Sequence, residues 1–137
     1  MTKRQAIVDT ARTCIGTPFR HQGRLKGVGL DCIGLVIWTM KTLGISDYDY
    51  TTYPMMPPAD LMTKIMAEKL DIIPLDDARP GDLYRFQVSG EPIHVGIATD
   101  IGVLHAVQAR NGIVEHRLDA AWRAKVVKTY RIPGLED

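Results

Sequence analysis

Apolar residues fall at helical spacing before about Leu70 and mostly at a spacing of two after it. The first stripe, Ile7, Ala11, Cys14 and Ile15, predicts a helix from about Arg4 to Ile15, ended by Gly16 and Pro18. A glycine-studded loop follows from Thr17 to Leu30. From Cys32 to Leu43 the apolar positions run nearly all round the helix, which predicts a buried element, with Asp31 at its N-cap and Gly44 at its end. Residues 46–58, rich in Tyr, Asp, Thr and Pro, should be irregular. Leu61, Ile65, Met66 and Leu70 suggest a third helix. Strands are expected at residues 72–75, 82–88, 93–99, 103–107, 113–117 and 126–132. The turns between them are Arg79-Pro80-Gly81-Asp82, Ser89-Gly90-Glu91-Pro92, residues 100–102 and Asn111-Gly112. Helices followed by an antiparallel meander make an α+β fold, with the sheet covering the Cys32 helix.

Composition narrows the function classes. The 137 residues suit one domain spanning 1–137. Seventeen Lys+Arg against 16 Asp+Glu leave a net charge of +1, so no global basic field points to nucleic acid or anionic lipid. No apolar run is long enough for a membrane span. The N-terminal stretch lacks a signal peptide's apolar core, so synthesis in the cytoplasm is expected. Two cysteines make no disulfide scaffold.

The candidate chemistry begins at Cys32. A thiol at a helix N-terminus meets the positive end of the macrodipole and exposed N–H groups, and both favour the thiolate. Position alone leaves this reading level with that of a small buried hydrophobe. A nucleophilic cysteine needs a base and an orienting group. In the strand at 93–99, His94, Gly96 and Ala98 share one face, where small residues would let a helix end approach. A short hairpin would set His105 beside or near His94, both facing the Cys32 helix. Cys14 reads as core, Glu115-His116 as an isolated pair, and the Met55-Met56 pair as packing. Arg123, Lys125 and Arg131 read as the wet side of the last strand. Arg20, Arg24 and Lys26 make the glycine loop locally basic, as a solvated loop or as a contact for substrate carboxylates. Metal binding through Cys32, His94 and His105 lacks a close pair with zinc-type spacing.

Taken together, these segments resemble a known family. Leu30-Asp31-Cys32-Ile33-Gly34-Leu35-Val36, preceded by Gly16-Thr17-Pro18-Phe19, looks like the nucleophile segment of the NlpC-type papain-like cell-wall peptidases. Arg79-Pro80-Gly81-Asp82-Leu83 with His94-Val95-Gly96-Ile97 looks like its histidine segment, and Leu104-His105-Ala106 like its third polar position. The Cys, His, His order, at spacings of 62 and 11 residues, also fits. Gly23-Arg24, the short length and the lack of a signal peptide or binding repeat are most similar to the branch encoded with phage tails and gene-transfer particles.

The resemblance implies a papain-like α+β fold, with N-terminal helices on an antiparallel sheet of five or six strands. It implies cofactor-free hydrolysis of an amide in peptidoglycan stem peptides, commonly γ-D-glutamyl to a diamino acid. Cys32 would be the nucleophile, His94 the base and acid, paired as thiolate and imidazolium, and His105 the group orienting His94. Asp31 would meet the substrate amine or cap the helix. Phe19 stands where the family commonly has an oxyanion-binding tyrosine, which moves that task toward His21 or Gln22. Ile33 replaces a serine that helps recognise the stem-peptide end. The same resemblance fits action at the wall either as a free enzyme or as part of a virion, in the latter case with phage tail-tip proteins as partners. Alternatives are a catalytically weak structural tail protein, favoured by Phe19 and Ile33, and a papain-like acyltransferase or amidase.

Overall fold

The computed structural model describes residues 2–47, 49, 59–88 and 91–137, and the side chains of all these except 59–63 and 91–93. The expected irregular stretch from 48 to 58 apart from Asp49, with its Met55-Met56 pair, and the Ser89-Gly90 turn lie outside the described residues. Element order is α1 (Arg4–Arg12), β1 (Arg24–Leu25), β2 (Gly29–Leu30), α2 (Cys32–Thr42), α3 (Ala59–Lys69), β3 (Asp71–Ile73), β4 (Leu83–Val88), β5 (Glu91–Ala98), β6 (Val103–Val107), β7 (Gly112–His116), α4 (Ala120–Arg123) and β8 (Val126–Arg131). The α+β expectation holds. Six strands form one antiparallel sheet in the order β3-β8-β4-β5-β6-β7, and β1 and β2 form a small separate ribbon.

The sheet is a meander only from β4 to β7. The last strand returns to lie between β3 and β4, antiparallel to both. Apolar alternation could not show this, because a spacing of two specifies a strand's faces and not its neighbours. Two further elements differ from expectation. α1 stops at Arg12, and residues 13–16 turn through tight bonds such as Thr13 N–H to Thr10 O, closing on Gly16 at φ +91°. A short helix, α4, follows β7, where Asp119 Oδ1 caps the N–H of Trp122 at 2.9 Å. Its four residues carry too little periodicity to be seen as a helix.

The sheet has two packed faces. On one, Ile7 and Ala11 of α1 and Leu35 of α2 join Val95, Ile97, Leu104, Ala106, Ile113 and Tyr130 in the main core. On the other, Tyr84, Phe86, Ala98 and Val103 are covered by Leu118, Trp122 and other partly buried residues. Period-two alternation along β5 and β6 sends odd and even positions into these two separate clusters.

The Arg79-Pro80-Gly81-Asp82 turn explains itself through Asp82, which is fully buried. Its carboxylate accepts from Arg4 Nη1 at 2.9 Å, from Arg131 Nη2 at 2.9 Å and Nε at 3.1 Å, and from the Arg79 N–H at 2.9 Å. One side chain thus ties α1 to β8 and to its own turn. Arg131 is accordingly not part of a wet strand face, and Arg123 lies on α4, paired with Asp76. A buried charge stripped of its partner is costly. Asp82→Asn should therefore lower unfolding free energy by about 3–5 kcal/mol, read as a reduced urea midpoint. A midpoint shift worth less than about 1 kcal/mol, the usual value of a surface pair, would show that the cluster does not join these elements.

Candidate active site

Cys32 is the first residue of α2, with 9% of its surface exposed. The helix begins there because Asp31 leaves helical conformation and its Oδ1 accepts the Gly34 N–H at 2.7 Å. The same carboxylate reaches outward. Its Oδ2 accepts the Gln22 N–H at 2.9 Å, and Arg24 Nη1 donates to Oδ1 at 3.2 Å. Gln22 sits at φ +60°, a left-handed conformation that non-glycine residues seldom adopt. Asp31 therefore sets the helix start and pins the loop beside it. Gly34 completes the join: a Cβ there would lie 1.9 Å from the Gly23 carbonyl oxygen.

The other loop residues take different places. Phe19 is half-buried against the main core and bridges to Leu30, two positions before Cys32. His21 and Gln22 form the half-buried turn that follows. Ile33 lines an apolar cavity of about 340 Å³ with Val36, Met40, Met66 and Val95. Arg24, besides Asp31, binds Asp49 at 2.8 Å and the Gly23 carbonyl at 3.0 Å, so it is engaged within the loop. Lys26 lies over the Trp38 ring at 5.8 Å. Cys14 is fully buried, and desolvation raises its thiol pKa.

The histidines come together across β5, β6 and β7. Register pairs Gly96 with His105, so His94 and His105 are diagonal neighbours on one face. His94 Nε2 and His105 Nδ1 are 2.6 Å apart. Gly96 makes this possible: a Cβ there would come within 2.6 Å of Val103 Cγ2, 3.2 Å of the His105 Cβ and 3.3 Å of Phe86. Its small size serves the imidazoles and not, as the sequence suggests, the approach of a helix end. The rings also pack against Phe86 and Trp122, and Cys32 belongs to the main core cluster with Val95, Leu104 and Ala106. Those three residues are the immediate chain neighbours of the two histidines. The β5–β6 ladder ends at Gly96 and His105, while β5 stays paired with β4 and β6 with β7 beyond that point. His94 thus stands where two strands part, and α2 packs against both of them.

Sequence reasoning set His116 aside, yet its Nε2 lies 2.8 Å from His105 Nε2. The register of β6 and β7, Val103 opposite His116 and His105 opposite Val114, puts it on the same face. The signal was available in the turn at Asn111-Gly112, which fixes that register. Trp122 covers the group, its ring centroid 4.9 Å from His105 and 5.4 Å from His116.

Burial decides the charge state of these rings. Desolvation, helped by the nearby positive charge of Lys125, lowers the His94 pKa to about 4. Desolvation, then repulsion from the other two histidines, lowers that of His105 to about 3. Both are neutral at neutral pH in the resting site, so His94 can accept a proton there. Chemically, the arrangement offers a thiol at a capped helix start and a neutral imidazole backed by a second one.

The family model described as the NlpC/P60 family matches residues 16–131. The chain belongs to the NlpC/P60 family. Over 116 residues it is 34% identical to a protein of Corynebacterium glutamicum named "Probable endopeptidase", covering 84% of this chain and 48% of that one. The chain therefore spans about half the length of the curated relatives it matches. Among solved structures, the NlpC/P60 domain of the peptidoglycan hydrolase SagA aligns with 96% of this chain and all of that one, at TM-score 0.65 and 23% identity. An NlpC/P60 family protein of Bacillus cereus aligns with 94% of this chain and 40% of that one, at TM-score 0.69 and 19% identity. At these identities the structures establish the shared fold.

The lowered histidine pKa values carry a sign for stability. Above about pH 6.5 both rings are neutral, folded or unfolded. On acidification the unfolded chain takes up these protons first, so stability falls between pH 6.5 and about 4. The loss should be on the order of 3 kcal/mol for His94 alone. Urea unfolding at pH 7, 6 and 5 separates this from carboxylate titration at lower pH. Constant stability across that window would contradict the burial argument.

Proposed function

We propose that this NlpC/P60 domain is a cysteine endopeptidase acting on peptidoglycan stem peptides, with Cys32, His94 and His105 as its catalytic group. The observation that carries the reading is the 2.6 Å contact of His94 Nε2 with His105. It commits Nε2 to the orienting partner and leaves Nδ1 as the nitrogen to serve the thiol.

In this reading the Cys32 S–H proton passes to His94 Nδ1 as sulfur bonds to the scissile carbonyl carbon. The carbonyl π electrons move to oxygen. The Cys32 N–H, at the start of α2, donates to that oxyanion. Phe19 has no hydroxyl to add, so the second donor comes from His21 or Gln22, held beside the helix start by Asp31. Collapse of the adduct breaks the C–N bond, and the leaving amine takes the proton from His94. Water then attacks the thioester with His94 as base, releasing the acid and restoring the thiol. Burial makes the imidazolium costly in the resting site, which favours a neutral His94 until substrate arrives.

The scissile bond proposed is γ-D-glutamyl to a diamino acid, in keeping with the family resemblance of the Cys32 and His94 segments. Asp31 already accepts from Gln22, Gly34 and Arg24, so its contribution is to hold the loop, and a substrate amine would share the same carboxylate. Ile33 faces an apolar cavity, which favours a stem-peptide end group recognised without the family's serine. Delivery to the wall on a phage-type particle is proposed from the Gly23-Arg24 resemblance. Phe19 and Ile33 favour a second reading, a structural tail protein of the same fold with weak catalysis.

Purified peptidoglycan and a synthetic stem tripeptide, digested in parallel by the wild type and Cys32→Ala, test the main reading. Wild type should release a new amino terminus on the diamino acid, and Cys32→Ala should lose at least about 1,000-fold in rate. Iodoacetamide at pH 6 should label Cys32 more than about tenfold faster than Cys14. No cleavage with equally slow labelling of both thiols would favour the structural protein, and transfer to added amines would favour an acyltransferase.

A further inference from the structure

We infer that His116 is a positioning residue that fixes the proton on His94, through a directed chain of three imidazoles ending at the Arg117 carbonyl. The inference rests on the reading of His94 as base. Its geometry is a run of three short contacts: His94 Nε2 to His105 Nδ1 at 2.6 Å, His105 Nε2 to His116 Nε2 at 2.8 Å, and His116 Nδ1 to Arg117 O at 2.8 Å.

A neutral imidazole has one donor nitrogen and one acceptor nitrogen. A carbonyl oxygen only accepts. His116 must therefore carry its proton on Nδ1, which makes its Nε2 an acceptor. His105 then donates from Nε2 and accepts at Nδ1. His94 in turn donates from Nε2, and its Nδ1 holds a lone pair. The terminal carbonyl thus selects, two rings away, the one tautomer of His94 that can take a proton at Nδ1. The opposite tautomer would set two lone pairs against each other at Arg117, or two hydrogens within 2.8 Å at a ring-to-ring contact. The proton itself does not travel: when His94 gains one from the thiol, the remaining bonds keep their direction.

The anchor is held by backbone packing. Gly102, in the β5–β6 turn, lies so close to residues 116–118 that a Cβ would come within 2.3 Å of the His116 carbonyl oxygen and 2.6 Å of the Arg117 Cα. Thr99 Oγ1 fixes that turn by accepting the N–H groups of Ile101 and Gly102. Trp122 packs against all three rings, with centroids 4.9–6.1 Å away, and the His94–His105 contact is buried from water. His116 itself is only half-buried, and its substitution leaves the main core untouched.

Nitrogen-15 NMR of the ring-labelled wild-type protein at pH 7.5 reads the tautomers directly, without substrate. The expected spectrum has a proton-bearing Nε2 and a bare Nδ1 on both His94 and His105, and a proton-bearing Nδ1 on His116. His116→Leu removes the anchor, and His116→Gln supplies an amide that can accept from His105 and donate to the carbonyl. His116→Leu should mix the His94 tautomers and slow both Cys32 alkylation by iodoacetamide and stem-peptide cleavage by about 10- to 100-fold. His116→Gln should restore the His94 tautomer and bring both rates to within about threefold of wild type. Thermal melts of both variants report folding independently. A proton on Nδ1 of His94 in the wild type, or an unchanged His94 spectrum in His116→Leu, would overturn the chain. If the wild type cuts no stem peptide while the spectrum is as expected, the peptidase reading fails and the imidazole chain stands.

Discussion

The meeting of His94 and His105 depends on an absent side chain. Gly96 lies between them in register, and any Cβ there would intrude on Val103, His105 and Phe86 at once. With that space open, two buried imidazoles approach to 2.6 Å, and the low polarity around them keeps both neutral. The cost of burying these polar rings is offset by hydrogen bonds to each other and onward to His116. Everything the site can do with a proton follows from this packing.

A second join serves the thiol. Asp31 caps α2, holds Gln22 in a left-handed conformation and binds Arg24. Gly23 and Gly34 then close without side chains between them. The loop beside Cys32 is thereby made part of the helix start. Asp82 does the equivalent work further back, tying α1 and β8 to the turn that leads into β4. One buried carboxylate thus ties the loop to α2 and the other ties α1 to the sheet, each through side-chain and backbone donors together.

Membership of the NlpC/P60 family and the arrangement of helices on a six-stranded antiparallel sheet agree with each other. The chain departs from the family resemblance at Phe19 and Ile33, and the structure gives each an apolar setting, Phe19 on the main core and Ile33 in the cavity beside α2. These replacements change what surrounds the thiol, and neither residue belongs to the cluster around Phe86 against which the histidines pack.

The sequence alone determined most local structure. Helical spacing and the Asp31 cap placed Cys32 at the start of a buried helix, because both signals act within a few residues. Alternation also placed His94 and His105 on a shared face, and the short turn at 100–102 kept them near each other. Tertiary structure decided what no local pattern encodes. It set β8 between β3 and β4, turned the histidine face toward Phe86 and Trp122, and gave Gly96 to the rings and not to the helix. It also brought His116 into the group and engaged Arg24 and Arg131 with buried carboxylates. The reason is physical: periodicity records which side of an element is apolar, whereas partners across strands and layers are chosen by packing between segments far apart in the chain.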